Sequence, residues 1–347
     1  MRARQKDVAA LAGVAPKTVS NVINNYEHVS DEIRARVFAA IEELGYRPNL
    51  PARSLRSGRS GVIALSLRDL DNPYFAELAK HIVDAAAKQS WTVVLDRSDA
   101  AGLLGTDNAA GIHGWLLDGI ILSGPKLDPE TLQKRVAGTP LVLLSDPGYG
   151  GNAPHVSIDN FAAARTATEH LVSTGRRRVA AIGVGTGKRQ SLTRRRLAGY
   201  RSALRSAGLT SEPDLVPPTF GGHRTDGAAA AELLLELKDR PDAIFCFTDL
   251  LAFGAMHTLR RYGVRVPEDV AVIGIDDIDE GRYSAPTLST IAPDREALAT
   301  AVIDALARQV DRRGGERVAD QVVPFELVVR ESTTRRNPAR RPPRVLR

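Results

Sequence analysis

A chain of 347 residues has room for two or three domains, and its 43% hydrophobic and 25% charged residues are the balance of a soluble protein with a packed core. No apolar run approaches the ~18 residues of a membrane span, and the single cysteine, Cys246, excludes an intramolecular disulfide or a cysteine-rich zinc site and fits a reducing, cytoplasmic setting. The formal charge of +6 is uneven: residues 1–60 hold 10 Lys/Arg against 6 Asp/Glu, residues 335–347 hold 6 Arg and no acid, and the body between is mildly acidic, so a polyanion is the expected partner of the ends rather than of the body.

The first residues do not read as a secretory signal. The apolar stretch from Val8 to Ala15 is short, Asp7 stands against it, and Pro16-Lys17 ends it with no small-residue cleavage site behind. Residues 5–45 predict three short helices instead. Val8, Leu11 and Ala12 recur at helical spacing, Gly13 supplies the left-handed residue that closes the first helix, and Pro16 suits the first turn of the second. The second helix is expected to bury Val19, Val22 and Ile23 and to show Lys17, Thr18, Ser20 and Asn21 to solvent. Ser30 caps the third, with Asp31 and Glu32 complementing its dipole and Ile33, Val37, Ile41 and Leu44 as its apolar stripe. Helix, glycine turn, then a helix with a small-polar and basic outer face is the helix-turn-helix arrangement. An ordinary bundle would share the pattern, but so small a core is marginal on its own.

Residues 46–60 carry two prolines, four arginines and no acid, the composition of a linker. From residue 61 short apolar runs alternate with helical stretches. The strand candidates are 62–67, 92–95, 119–122, 141–144, 179–183, 243–247 and 270–275; the helical ones are 73–89, 160–174, 194–207, 225–237, 250–262 and 294–311. This alternation predicts an α/β architecture with mainly parallel sheets, divided into two lobes, with any ligand beyond the carboxyl ends of the strands. The tail 335–347 reads as basic and disordered. Gly183-Val-Gly185-Thr-Gly187-Lys188 suggests a phosphate loop, but Ile182 stands where its first glycine is needed and Arg189 where a magnesium-binding hydroxyl is needed. His113, His155, His170, His223 and His257 lack metal-ligand spacing, and no nucleophile–base set can be assembled, so neither a metal, a cofactor nor an enzyme is expected.

Several segments in register carry a resemblance. Lys6-Asp7-Val8-Ala9 through Leu11-Ala12-Gly13-Val14, Thr18-Val19-Ser20-Asn21-Val22-Ile23-Asn24, Val29-Ser30 and Ile41-Glu42-Glu43-Leu44-Gly45-Tyr46-Arg47-Pro48-Asn49 resemble the LacI/GalR family of bacterial transcription repressors. Ala52-Arg53-Ser54-Leu55-Arg56 is similar to its hinge, and Asp69-Leu70-Asp71-Asn72-Pro73-Tyr74-Phe75, Arg196-Leu197-Ala198-Gly199-Tyr200, Pro267-Glu268-Asp269-Val270 with Gly274-Ile275-Asp276-Asp277, and Arg330-Glu331-Ser332-Thr333 are similar to landmarks of its core. The resemblance implies an all-α helix-turn-helix DNA-binding domain at 1–45, a hinge at 46–60 and an α/β two-lobed core like the periplasmic binding proteins, with parallel sheets, at 61–334. The first lobe is expected at about 61–159 and 291–320, the second at about 160–290 and 321–334.

Carried over by position, Pro16, Lys17, Asn21 and His28 would face base edges. Lys17 suits guanine O6 and N7, and Asn21 suits adenine. Thr18, Ser20, Asn24 and Ser30 are short donors for phosphate oxygens. Ala52, Arg53 and Leu55 would enter the minor groove, Leu55 as an apolar wedge that kinks the duplex. Two departures stand out: Pro16 cannot hydrogen-bond a base, and Pro51 tolerates a helical hinge only in its first turn. Between the lobes, the resemblance places Tyr74 and Phe75 as apolar surface, Arg196 and Asp276 as polar anchors for vicinal hydroxyls, and Ser145, Asp146, Thr248, Pro293 and Arg295 around them, with Ser145 and Asp146 left as alternatives for one position. The expected protein is a homodimer on double-stranded operator DNA, with no membrane partner, whose grip changes when a small effector, a sugar, binds. The rival is a sugar-binding transport protein with the same core, which would lack residues 1–60.

Overall fold

The computed structural model describes residues 3–23, 26, 28–46, 59–97, 117–124, 129–136, 138–146, 152–185, 191–311 and 317–334. Asn24, the hinge residues Ala52, Arg53 and Leu55, residues 186–188 of the glycine-rich loop and the arginine tail lie outside them. Residues 1–60 and 61–347 form two compact units.

Among its described residues the first unit holds three helices: α1 (Gln5–Ala12), α2 (Pro16–Ile23) and α3 (Asp31–Glu43). Gly13 takes a φ of 64° and ends α1, as its missing Cβ allows. Arg4 stands where a hydroxyl cap would be useful, and the chain compensates: Asp7 reaches back so that its Oδ2 accepts the Arg4 backbone N–H at 2.8 Å. The Ser30 hydroxyl accepts the Ile33 N–H and starts α3. The core is Val8, Ala9, Ala12, Val19, Val22, Val37 and Ala40, with Ile23, Ile33, Ile41 and Leu44 packed at its rim. Three of its seven buried residues are alanines, so the hydrophobic gain is small. One expectation fails here: Leu11 is 46% exposed, because α1 turns the Val8–Ala9–Ala12 stripe inward and leaves Leu11 on its flank.

Among the described residues the second unit holds a four-stranded sheet, a five-stranded sheet and a two-stranded one. The first runs in the order β2-β1-β3-β4, all parallel, from β1 (Val62–Leu67), β2 (Thr92–Arg97), β3 (Gly119–Ser123) and β4 (Leu141–Leu144). α4 (Pro73–Lys88) packs on it, and α5 (Pro129–Val136) lies between β3 and β4 in the chain. A bridge from Leu143 to His155 leads on to β5 (Val156–Ile158). α6 (Asn160–Ser173), β6 (Val179–Ile182), α7 (Ser191–Ser206), α8 (Arg224–Glu236), β7 (Ala243–Cys246), α9 (Asp249–Arg261), β8 (Ala271–Ile275), the short α10 (Glu280–Tyr283) and β9 (Ser289–Pro293) build the second lobe. α11 (Arg295–Val310) returns to pack on α4, β3 and β4, so tightly that a Cβ on Gly119 would meet Leu306 at 2.6 Å. β10 (Gln321–Val323) then pairs parallel with β5, and β11 (Phe325–Val328) adds antiparallel to β9, giving the second sheet the order β11-β9-β8-β7-β6. The last passage between lobes therefore falls between Val323 and Phe325, where residue 320 was expected.

The apolar runs form the buried strands because both faces are covered by helices: β3, β6, β7 and β8 are buried throughout. α6 pairs with α7 and α8 with α9. The second pair is close enough that a Cβ on Gly254 would lie 1.9 Å from the Arg224 carbonyl oxygen, a contact only glycine permits.

Candidate functional site

Two surfaces carry the residues singled out by sequence, one in each unit. In the first unit, Pro16 opens α2 and Lys17, Thr18, Ser20 and Asn21 follow on its outer side, Pro16 and Lys17 being exposed. Gln5, Pro16, Lys17, Ser20 and Asn21 line a concavity of about 420 Å³. Gln5 Nε2 donates to the Pro16 carbonyl at 2.9 Å, tying α1 to the start of α2. The exposed His28 ring stands edge-on to Tyr26, with centroids 5.5 Å apart. Ser30 spends an acceptor lone pair on its cap and keeps its hydroxyl proton to donate. This surface is a donor-rich, solvent-facing side of a helix.

The second surface lies between the lobes, at the carboxyl ends of the strands, where open α/β sheets bind ligands. Tyr74 and Phe75 begin α4 just after β1; Asp146 follows β4, Asp249 follows β7 and Asp276 follows β8. Arg196 reaches in from α7 and is buried. Its Nε donates to Asn160 Oδ1 at 2.7 Å, and one terminal nitrogen donates to the Phe247 carbonyl. Asn160 passes the connection on: its Nδ2 donates to Asp146 Oδ1 at 3.0 Å. Asp146 Oδ2 is buried and, among the described residues, has no hydrogen-bond partner. Ser145 turns elsewhere, its Oγ 3.1 Å from His155 Nδ1, so Asp146 is the member of that pair that joins the cluster.

Burial dominates the electrostatics. Asp276, with the left-handed φ of 133°, is buried, and desolvation lifts its carboxyl to about 7 against the opposing pull of Arg196 and Arg295. Asp249 is also buried; its Oδ1 accepts the Thr290 hydroxyl at 2.7 Å and its Oδ2 the Ile278 N–H at 3.1 Å. Desolvation, with Asp276 nearby, drives the Asp249 carboxyl well above the usual carboxylate range. Desolvation and Asp276 raise the Tyr74 hydroxyl to about 12, while desolvation lowers Arg196, which Asp276 and Asp146 partly restore. The fold thus gathers Tyr74, Arg196, Asp276 and Asp146 from distant parts of the chain. Phe75 stands edge-on to Tyr74, centroids 5.4 Å apart.

Three further expectations meet groups already committed. The Thr248 hydroxyl accepts the Leu251 N–H as the cap of α9. Pro293 ends β9 opposite Phe325. Arg295 lies 5.7 Å from the Tyr74 ring centroid, but its guanidinium is tied to the carbonyls of Asp276 and Asp277, at 2.5 and 2.7 Å, and to Glu77 Oε2 at 3.0 Å. Sequence reasoning missed Asn160, Asp249 and Glu77, which contact the cluster or its supports only through the tertiary fold. It also passed over Phe220, an aromatic 82% exposed beside Thr219, whose Oγ1 receives the Gly183 N–H at the end of β6.

Among the described residues no helix is long and apolar enough to cross a membrane, and no group of three or more His, Cys, Asp or Glu side chains is placed to hold a metal ion. Residues 5–49 match the bacterial regulatory proteins of the lacI family, and residues 168–333 match the periplasmic binding protein-like domain. The HTH-type transcriptional repressor PurR of Aliivibrio salmonicida (strain LFI1238) is 31% identical over 335 residues, covering 94% of this chain and 98% of that repressor. A solved complex of the transcriptional regulator CelR with cellobiose is 31% identical and superposes with a TM-score of 0.69 over 95% of this chain and 100% of that one. The lac repressor dimer bound to operator and the anti-inducer ONPF is 26% identical, with a TM-score of 0.77 over 96% of this chain and 99% of that one. A helix-turn-helix head joined to a two-lobed cleft, matched over nearly the whole length of a repressor, leaves one assignment: the chain belongs to the lacI family of bacterial regulatory proteins and is a DNA-binding transcriptional repressor under effector control.

Proposed function

We propose that this repressor acts in the cytoplasm as a homodimer on double-stranded operator DNA, and that a sugar held between the lobes sets its operator affinity. In this reading Lys17 and Asn21 read guanine and adenine in the major groove, Pro16 and His28 complete the base-facing edge, and Thr18, Ser20, Asn24 and Ser30 hold phosphates. Ala52, Arg53 and Leu55 enter the minor groove. The effector meets Tyr74 and Phe75 on one side, and Arg196, Asp146 and Asp276 on the other, with Ser145, Thr248, Pro293 and Arg295 lining the walls. The chain performs no catalysis in this reading, and the head makes the transport-protein alternative redundant.

The observation that carries the reading is the Asp146–Asn160–Arg196 chain beside Asp276 and Tyr74. A guanidinium next to carboxylate oxygens grips vicinal hydroxyls from both sides: the arginine donates and the acids accept. Asp146 Oδ2 adds a buried acceptor that a ligand hydroxyl satisfies. The CelR neighbour, solved with cellobiose, supports a carbohydrate in such a cleft. Binding shifts operator affinity only if the effector prefers one lobe arrangement over the other. We take the sense to be induction, with DNA released on binding. A thermal-shift screen against neutral mono- and disaccharides tests the ligand class, since a ligand of the native state raises Tm. Arg196→Ala is expected to abolish that shift and the response in gel-shift titration while operator binding persists; a normal response in the variant removes Arg196 from the site.

A further inference from the structure

We propose that the lobes carry a built-in clasp across the mouth of the cleft, formed by Asp69 with His223 and by Glu77 with Asp279 and Arg295. It concerns the two lobes alone and holds whatever the cleft binds.

Asp69 lies in the loop after β1 and Glu77 on α4, both in the first lobe; His223 precedes α8 and Asp279 precedes α10, both in the second. His223 Nε2 is 3.1 Å from Asp69 Oδ2. Glu77 uses both oxygens: Oε1 accepts the Asp279 backbone N–H at 3.1 Å, and Oε2 pairs with Arg295 Nη2 at 3.0 Å. Arg295 itself straddles the lobes. It opens α11, which packs on the first sheet, yet its guanidinium holds the carbonyls of Asp276 and Asp277 beyond β8. The Glu77 carboxylate therefore completes a ring of contacts from the first lobe through Arg295 to the 276–279 turn and back.

The partners are fixed before they meet. The Asp226 carboxylate accepts the His223 backbone N–H at 2.9 Å, which orients that residue at the start of α8, and the Asp279 amide opens the short helix α10, where no preceding turn supplies an acceptor. The sequence separation excludes local contacts: Glu77 and Asp279 are 202 residues apart, and they meet only when the lobes lie together. A single partly exposed ion pair contributes little. Two arms that close in one event share a single ordering cost, so each arm reinforces the other. The clasp thus raises the population of the closed arrangement before any ligand arrives, and the apparent effector affinity follows that population.

Hydrogen exchange of the full chain without added ligand tests this, read at the Asp279 amide. In the unsubstituted chain that amide is expected to exchange slowly. Glu77→Ala should accelerate it roughly ten-fold or more, and Glu77→Gln, which keeps an acceptor but loses the charge facing Arg295, should fall between. The deciding variant is His223→Ala, on the other arm and away from Asp279, which removes the ring that meets Asp69: a clasp requires that it also accelerate the Asp279 amide several-fold. Unchanged exchange in His223→Ala, or free exchange of the amide in the unsubstituted chain, overturns the proposal. Because His223→Ala leaves α4 and Arg295 untouched, the test survives if Glu77→Ala misfolds.

Discussion

The outer face of α2 and the cleft of the core hold similar polar groups under opposite conditions. On α2, Lys17 is exposed and Thr18, Ser20 and Asn21 half-exposed, standing on a core with three alanines among its seven buried residues. In the cleft, Arg196 and three carboxylates, Asp146, Asp249 and Asp276, are buried and joined through Asn160, Thr290 and backbone groups. The contrast teaches how one chain divides recognition. A solvated face meets a polyanion by counterion release, cheaply and with strong salt dependence. A desolvated cluster holds its charges against a penalty that only geometry offsets, so it distinguishes ligands by which hydrogen bonds they complete.

Breaking the buried side has the largest effect. Arg196→Ala strands the carboxylates and is expected to cost about 3 kcal/mol of core stability in urea unfolding, along with the effector response; a loss no larger than that of an exposed arginine would mean the cluster is not electrostatically strained. The same burial gives a pH signature. Asp276 is lifted to about 7 in the folded chain from 3.8, so the fold holds its proton more tightly than the unfolded chain does. The resulting stabilisation is complete below about 4 and is lost as pH rises to about 7. Asp276→Asn should flatten that slope, and a slope that persists assigns it to another group.

The exposed side responds more gently. Lys17→Ala should weaken binding to the preferred duplex by ~1–3 kcal/mol and relax the preference at one base; equal weakening on every sequence reassigns Lys17 to phosphate. Ser30→Ala removes the cap of α3 and is expected to cost the head about 1 kcal/mol in thermal unfolding, with the core's transition unmoved. His170, outside both surfaces and 2.8 Å from Thr333, gives the smallest effect and the opposite pH sign. Burial lowers its pKa, so its contribution is present at neutral pH and lost as pH falls through the folded value, a loss His170→Gln should abolish.

The two regions were also unequally legible. The three helices of the head and the strands β1, β3, β4, β6, β7 and β8 declare themselves through local spacing and apolar runs. β9 does not, because Ser289 and Thr290 are buried polar residues whose hydroxyls are satisfied by Arg330 and Asp249, far along the chain. β5, β10 and β11 are three- and four-residue strands, too short for a pattern. In the cleft, Arg196 and Asp276 were recognised through the family resemblance alone. Asn160, Asp249 and Glu77 matter because of what lies against them, and Arg295, read as a ligand contact, is held by backbone carbonyls that no motif reveals.

The most direct measurement is the affinity of the full chain for a duplex selected in vitro, followed by fluorescence anisotropy while the cleft is filled with whichever sugar raises its Tm. Control of the head by the cleft predicts a change of roughly ten-fold or more at saturation, absent in Arg196→Ala. An operator affinity that stays the same with the cleft empty and with it full would contradict that control.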